Sequence, residues 1–260
     1  METLLLADIV EIPVDDPVAF TFFTGYMAMF AASIFFFFER SRVDGKWKLS
    51  LLISGLITGI AAVHYYYMRD YYTITGENPT VLRYIDWTLT VPLMCVEFYL
   101  LLRPAGAKIG LMWRFILAAV VMLVAGYIGE GFYRTNGPMN ILWGIISTLG
   151  WAVIIYEVFF GSAKALADKS QSAVVKKGFR NLSLFALIGW GIYPIGYMLL
   201  PGNLLSFTGI DTSNMDLIYN VGDAVNKIGF GLVVYATAMG ASKTGTPTGY
   251  DERERAAVTA

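Results

Sequence analysis

Charge is what this chain has least of: 15% of its 260 residues are Asp, Glu, Lys or Arg, while 56% are apolar and the mean hydropathy is +0.57. Soluble domains carry about 25% charged residues, so an ordinary soluble domain is excluded. A cell-membrane protein surrounded by lipid is expected. Cysteine is all but missing. Cys95 stands alone, which rules out a disulfide within the chain and gives it the role of a small apolar residue inside a helix. Histidine is equally scarce, His64 being the single one. Segments of about ten residues with alternating polarity, the mark of barrel strands, are not seen, so helices must satisfy the backbone in lipid. The net charge of −1 points to no partner, and neither a nucleic acid nor a metal is expected. The opening METLLLADIVEIPVDDP lacks a basic start and a long apolar run, so no cleavable leader is expected.

What is present is a series of apolar stretches, each about 20 residues long and able to cross a bilayer. Seven are found, at roughly residues 18–38, 48–68, 80–102, 108–129, 138–160, 179–200 and 217–240. The expected fold is an all-α membrane protein, a seven-transmembrane helix bundle forming one domain over residues 1–260. A short lead-in covers 1–17 and a tail begins at about 242. Arg40, Arg42, Lys46 and Lys48 follow the first stretch, Arg103 and Lys108 the third, and Lys164, Lys169, Lys176, Lys177 and Arg180 the fifth. The opposite loops hold Arg69 and Arg134. The positive-inside rule then places the N-terminus outside and the C-terminus in the cytoplasm. The basic segment after the fifth stretch reads as a surface-lying loop. Gly55 and Gly59 form a GxxxG pair for close helix approach, within the bundle or between subunits.

The segment Arg83–Glu97, RYIDWTLTVPLMCVE, places charge where it is expensive. On a helix, Asp86 and Glu97 fall within roughly 20° of one another and about 16 Å apart along the axis. Thr90 shares their face one turn from Asp86, and Pro92 removes a backbone hydrogen bond just beyond it. The last stretch adds Asp223 and Lys227, four residues apart and so on one helix face. Lys227 is too deep to snorkel, and a desolvated lysine is an amine nucleophile able to form a Schiff base with an aldehyde. A plain ion pair with Asp223 is the alternative, though burying two charges gains little. His64, near the end of its helix, is either a hydrogen-bonded structural residue or a proton carrier. Trp190, Tyr193 and Tyr197 make an aromatic stripe around Pro194, which is packing unless the seventh helix gives it something to surround.

RYIDWTLTVPL, WGIYPIGY and DAVNKIGFG, in that order on seven apolar stretches, resemble the microbial rhodopsins, and most closely the proteorhodopsin and xanthorhodopsin group. The resemblance implies all-trans retinal bound covalently to Lys227, with Asp86 as counterion and proton acceptor and Asp223 as second counterion. It implies that Trp87, Trp190 and Tyr193 enclose the polyene. Thr90, Met94, Met122, Gly126, Ser147, Pro194 and Asn226 complete the pocket. Arg83 balances the charge cluster, and His64 is expected to contact Asp86. Asp, Thr and Glu at 86, 90 and 97 form the triplet of the family's outward proton pumps, with Glu97 as the donor, kept neutral in the dark by its apolar neighbours. The function implied is a light-driven outward proton pump. A photosensor signalling to a partner is the first alternative and a retinal-free transporter the second.

Met94 falls at the family's colour-tuning position, where an apolar residue implies green absorption. Gly144 aligns where many relatives carry a bulky aromatic residue. It is either a window for an antenna carotenoid or a packing glycine. Glu130, at the outer end of the fourth helix, and Asp211 and Asp216, in the last outer loop, read as solvated acids. The resemblance also implies a homo-oligomer, a pentamer or hexamer.

Overall fold

The structure, a computed structural model, describes residues 15–243. Most of the lead-in 1–17 and of the tail from 242 therefore lies outside the described residues. Among the described residues seven helical spans have the length and composition to cross a membrane: Pro17–Arg42, Trp47–Thr75, Thr80–Ala105, Ile109–Phe132, Gly137–Lys169, Ala173–Leu199 and Met215–Lys243. The first four are built on α1 (Pro17–Glu39), α2 (Trp47–Thr75), α3 (Thr80–Leu102) and α4 (Ile109–Tyr127). The fifth joins α5 (Gly137–Phe159) to α6 (Ser162–Lys169), the sixth joins α7 (Ala173–Leu184) to α8 (Ile192–Leu199), and the seventh is α9 (Met215–Lys243). No strand occurs among the described residues.

Local chemistry sets the ends. Asp16 accepts from the amides of Val18 at 2.9 Å and Ala19 at 3.1 Å, with Pro17 at the first helical position of α1. Asn136 caps α5 in the same way through the Met139 amide. Gly76 stops α2 with φ of 68° and sends its amide to Tyr72 O at 2.7 Å. A left-handed residue there satisfies a terminal carbonyl without the cost a side chain would add. α4 and α7 each run on into a π turn, Ile128–Phe132 and Phe185–Gly189, so the fourth span re-aims its C-terminal end and the sixth is broken before α8.

In lipid, helices gain little from apolar burial, and close approach of small residues does more to hold them together. Gly55 and Gly59 do this inside the bundle. A Cβ at 55 would fall 2.8 Å from the Phe37 ring and one at 59 would fall 2.9 Å from Ser33 Oγ. Ser33 Oγ also donates to Gly55 O at 2.8 Å. At Gly150 a Cβ would meet Ala118 O and Met122 N at 2.7 Å, which locks α5 to α4. Deeper in, Phe98 stacks on Phe115 at 5.5 Å and meets Phe179 and Phe230 edge-on. Side chains of α4, α7 and α9 thus close around the residue of α3 that follows Glu97.

Two expectations change. The basic segment after the fifth stretch is helical, broken only between α6 and α7. It folds because it is amphipathic: Ala163, Ala167, Val175, Phe179 and Leu182 are buried while Lys169, Lys176, Lys177 and Arg180 are exposed. Arg69 is not a loop residue. It lies buried near the end of α2, paired with Asp70 at 2.8 Å and set over the Tyr26 and Tyr66 rings.

Candidate functional site

α3 and α9 meet at three charged side chains. Lys227 Nζ lies 2.6 Å from Asp86 Oδ2 and 2.5 Å from Asp223 Oδ2, and all three residues are buried. One cation between two anions leaves a net negative charge in a medium where Coulomb forces are weakly screened. The two carboxylates are held differently. Asp223 Oδ1 accepts from Tyr193 Oη at 2.9 Å and from Trp87 Nε1 at 3.3 Å. Asp86 Oδ1 has no hydrogen-bond partner. His64 Nδ1 stands 3.8 Å from that oxygen, within ion-pair reach for a protonated ring but too far for a hydrogen bond. The same nitrogen is 2.9 Å from Ile60 O. Thr90, one turn from Asp86, donates its hydroxyl to the Asp86 backbone carbonyl at 2.9 Å rather than to the carboxylate.

On the side of this cluster nearer the start of α3, Arg83 Nη2 donates to Asn220 Oδ1 at 2.7 Å and to Asp216 Oδ1 at 3.1 Å. Its guanidinium lies over the Phe22 ring, 5.2 Å from the centroid, and Nε and Nη1 have no hydrogen-bond partner. Asp216 is therefore not a solvated loop acid: it is in the first turn of α9, facing the bundle, because Met215 and Tyr219 on either side of it are buried. Asp211 is exposed and far from this chemistry, its carboxyl held below the usual range by the Ser213 amide and hydroxyl. On the other side of the cluster Glu97 is buried beside the Ser50 and Ser54 hydroxyls of α2. Its Oε1 and Ser54 Oγ both lack a hydrogen-bond partner.

Lys227 also forms part of the wall of a cavity enclosing about 740 Å³ of atom-free space, its mouth included. Trp87, Met94, Met122, Trp190, Tyr193 and Pro194 line it, with Ser147, Asn226 and Gly144. Ser147 Oγ is tied to Met122 O at 2.6 Å, and Asn226 Nδ2 to Gly189 O at 2.8 Å, so these polar groups are satisfied by the scaffold. Gly126 is set behind the wall, its missing Cβ replaced by Tyr84 Oη and Ser147 Oγ. Gly144 is buried, and a Cβ there would fall 2.5 Å from Tyr197 Cε1. The donor set suits a long apolar molecule that ends in a carbonyl: an amine at one point of the wall, carboxylates to balance a cation formed on it, and aromatic or thioether side chains elsewhere.

Glu130 is a further correction. The π turn that ends the fourth span points it inward, where it lines the cavity and accepts from Tyr84 Oη at 3.0 Å. Tyr84, Tyr219 and Thr148 of the wall, and Asn220 beside Arg83, are residues that the sequence did not single out, whereas Tyr197 of the aromatic stripe does line the cavity. A signal existed for part of this: Asp216, Asn220, Asp223 and Lys227 recur at intervals of four, three and four, the stripe of a single helix face.

Residues 16–241 match a family model described as bacteriorhodopsin-like protein. The chain is 43% identical over 230 residues to the blue-light absorbing proteorhodopsin of Gamma-proteobacterium Hot 75m4, covering 88% of this chain and 89% of that one. It is 42% identical, with the same coverage, to the green-light absorbing proteorhodopsin of Gamma-proteobacterium EBAC31A08. Among solved structures, xanthorhodopsin, a light-driven ion pump with dual chromophore, superposes with a TM-score of 0.75 at 29% identity, covering 88% of this chain and 94% of that one.

Proposed function

The chain belongs to the bacteriorhodopsin-like family, and from that premise we propose that it is a light-driven proton pump that carries retinal on Lys227 and moves protons out of the cell. The observation that carries the reading is the placement of Lys227 Nζ between Asp86 and Asp223 in the wall of an apolar cavity. Lys227 Nζ would hold retinal through its aldehyde carbon, with loss of water, between Asp86 and Asp223 in this cavity, and the group would supply absorption of visible light and a light-driven change of shape.

The chain's own groups do the rest. Asp86 Oδ2 receives the proton, and the hydrogen bonds support that choice: two donors already stabilise the Asp223 anion, while Asp86 Oδ1 has none. Asp223 serves as the second counterion, oriented by Tyr193 and Trp87. Arg83 and Asp216 carry charge towards the face where α3 begins. Glu97 returns a proton to the Lys227 nitrogen from the other side; its burial and the aromatic cluster at Phe98 keep water from short-circuiting that step.

The outward direction is supported by the order of Asp86 and Glu97 along α3 and by the exposed cations of α6 and α7. Those cations lie at the same end of the bundle as Glu97. Met94 in the cavity wall supports green absorption. Gly144 in the cavity wall, bare of side chain, supports an antenna carotenoid docked against it, while the Tyr197 ring packed into its Cβ space supports a packing glycine.

Illumination of cells making the protein with retinal should acidify the medium, and a protonophore should abolish the change. Medium that stays at constant pH overturns the pump, and a visible band surviving Lys227→Ala overturns the attachment site.

A further inference from the structure

Glu130 is a half-buried acid that the proton path does not use. It lines the same cavity as Lys227, at the π turn after α4. Trp87 spans the distance between the two: its Nε1 donates to Asp223, beside Lys227, and its ring meets Tyr84 edge-on at 5.1 Å, while Tyr84 Oη donates to Glu130. Tyr197 marks the same end of the cavity from the other side. Its ring occupies the space a Cβ would need both at Gly144 and at Gly129, the residue before Glu130. The carboxyl is thus placed at the end of the cavity away from the amine.

We infer that Glu130 is a colour-setting group, whose charge at the far end of the retinal cavity shifts the absorption of the chromophore. The inference rests on the retinal reading of Lys227. In the dark the chromophore's positive charge is concentrated near the Lys227 nitrogen, balanced by Asp86 and Asp223. Excitation of a conjugated cation spreads that charge towards its other end. An anion there stabilises the excited state more than the ground state and lowers the transition energy, and inside a protein the effect is screened less than in water. The groups facing Glu130 are Tyr84 and Arg83 from α3, Tyr197 from α8, Asp216 and Tyr219 from α9, and Arg134 just beyond its own turn. Arg83 is already engaged by Asp216 and Asn220, and the direct hydrogen-bond donor to Glu130 is a neutral phenol.

The test compares dark spectra of the parent protein, Glu130→Gln and Glu130→Asp, each loaded with all-trans retinal and titrated from acid to alkaline pH. At alkaline pH the parent should absorb several nanometres to the red of Glu130→Gln, the gap should close at acid pH, and Glu130→Asp should keep a pH-dependent gap. In retinal-free protein, the infrared difference between parent and Glu130→Gln should show a carboxyl C=O band at acid pH replaced by carboxylate bands at alkaline pH. A visible band that Glu130→Gln leaves unmoved at every pH overturns this inference alone. An infrared difference without ionisation overturns it too. A parent protein that forms no visible band sinks the retinal reading, and this inference with it.

Discussion

Arg83 and Asp216 are joined at 3.1 Å across α3 and α9, with Asn220 sharing the same Nη2 at 2.7 Å. This fixes where the arginine's charge resides: Nη2 is held by an acid that is itself partly exposed, while Nε and Nη1 are left without a hydrogen-bond partner. A proton arriving at Asp86 changes the cluster's charge by one unit, and Arg83 is the group able to relay that change to Asp216. Asp216→Asn should leave the visible maximum within a few nanometres of the parent, because Asp86 and Asp223 still flank Lys227. It should lower the initial rate of light-driven acidification several-fold. Asn220 remains as an acceptor for Nη2, which limits the cost of removing the anion beside a buried guanidinium. An unchanged rate would reduce the pair to a structural contact.

Asp86→Asn removes the acceptor and half of the negative charge around Lys227. The maximum should move to the red, since the positive chromophore loses an anion at its nitrogen end, and light-driven acidification should stop. Asp223→Asn should be the more damaging to folding, because Tyr193 Oη and Trp87 Nε1 would both lose an anionic acceptor. An Asp86→Asn spectrum that matches the parent would remove Asp86 from the chromophore's surroundings altogether.

The seven spans were legible because lipid demands long apolar helices, and the Asp86, Asp223 and Lys227 cluster because charge in such helices is rare enough to stand out. Helix spacing alone places Lys227 beside Asp223. Its approach to Asp86 needs the tertiary fold, for which the motif resemblance stood in. What stayed hidden depended on backbone irregularity. Glu130 falls at the end of the fourth apolar stretch and reads as a solvated acid, yet the π turn at Ile128–Phe132 swings it inward. No apolar period announces a single extra residue per turn. The helical course of 162–184 was hidden by its lysines, which dominate the composition while the alternate face is buried. Asp216 could have been found from the spacing of its own helix.

Glu97→Gln should leave the dark spectrum nearly unchanged, because about 16 Å of helix separates positions 86 and 97. Pumping should slow by at least tenfold at neutral pH, since glutamine can neither give nor regain a proton. A small permeant weak acid in the medium should restore part of the rate by supplying that proton directly. Ser54→Ala should do less, because Ser54 Oγ lies beside Glu97 without a hydrogen bond to it. A Glu97→Gln protein that pumps at the parent rate would place the donor elsewhere.

Gly144→Trp tests whether the bare wall at 144 serves a second pigment. The parent protein, loaded with retinal and a carotenoid, should show carotenoid bands in the excitation spectrum of retinal emission, and the substitution should remove them by filling the outer surface between α5 and α8. The structure adds a control that the sequence could not. A side chain at 144 must displace the Tyr197 ring, whose hydroxyl donates to Asn140 O at 3.0 Å and whose carbonyl accepts from Asn203. Loss of transfer could then come from a disturbed cavity rather than a blocked dock. Gly144→Ala separates the two, since its methyl group meets Tyr197 just as the indole does yet leaves the outer surface open. If alanine keeps the carotenoid bands and tryptophan loses them, the glycine is a docking position. If both lose them along with the retinal band, it holds Tyr197 in place. Bands that persist in the tryptophan protein leave Gly144 with helix packing alone.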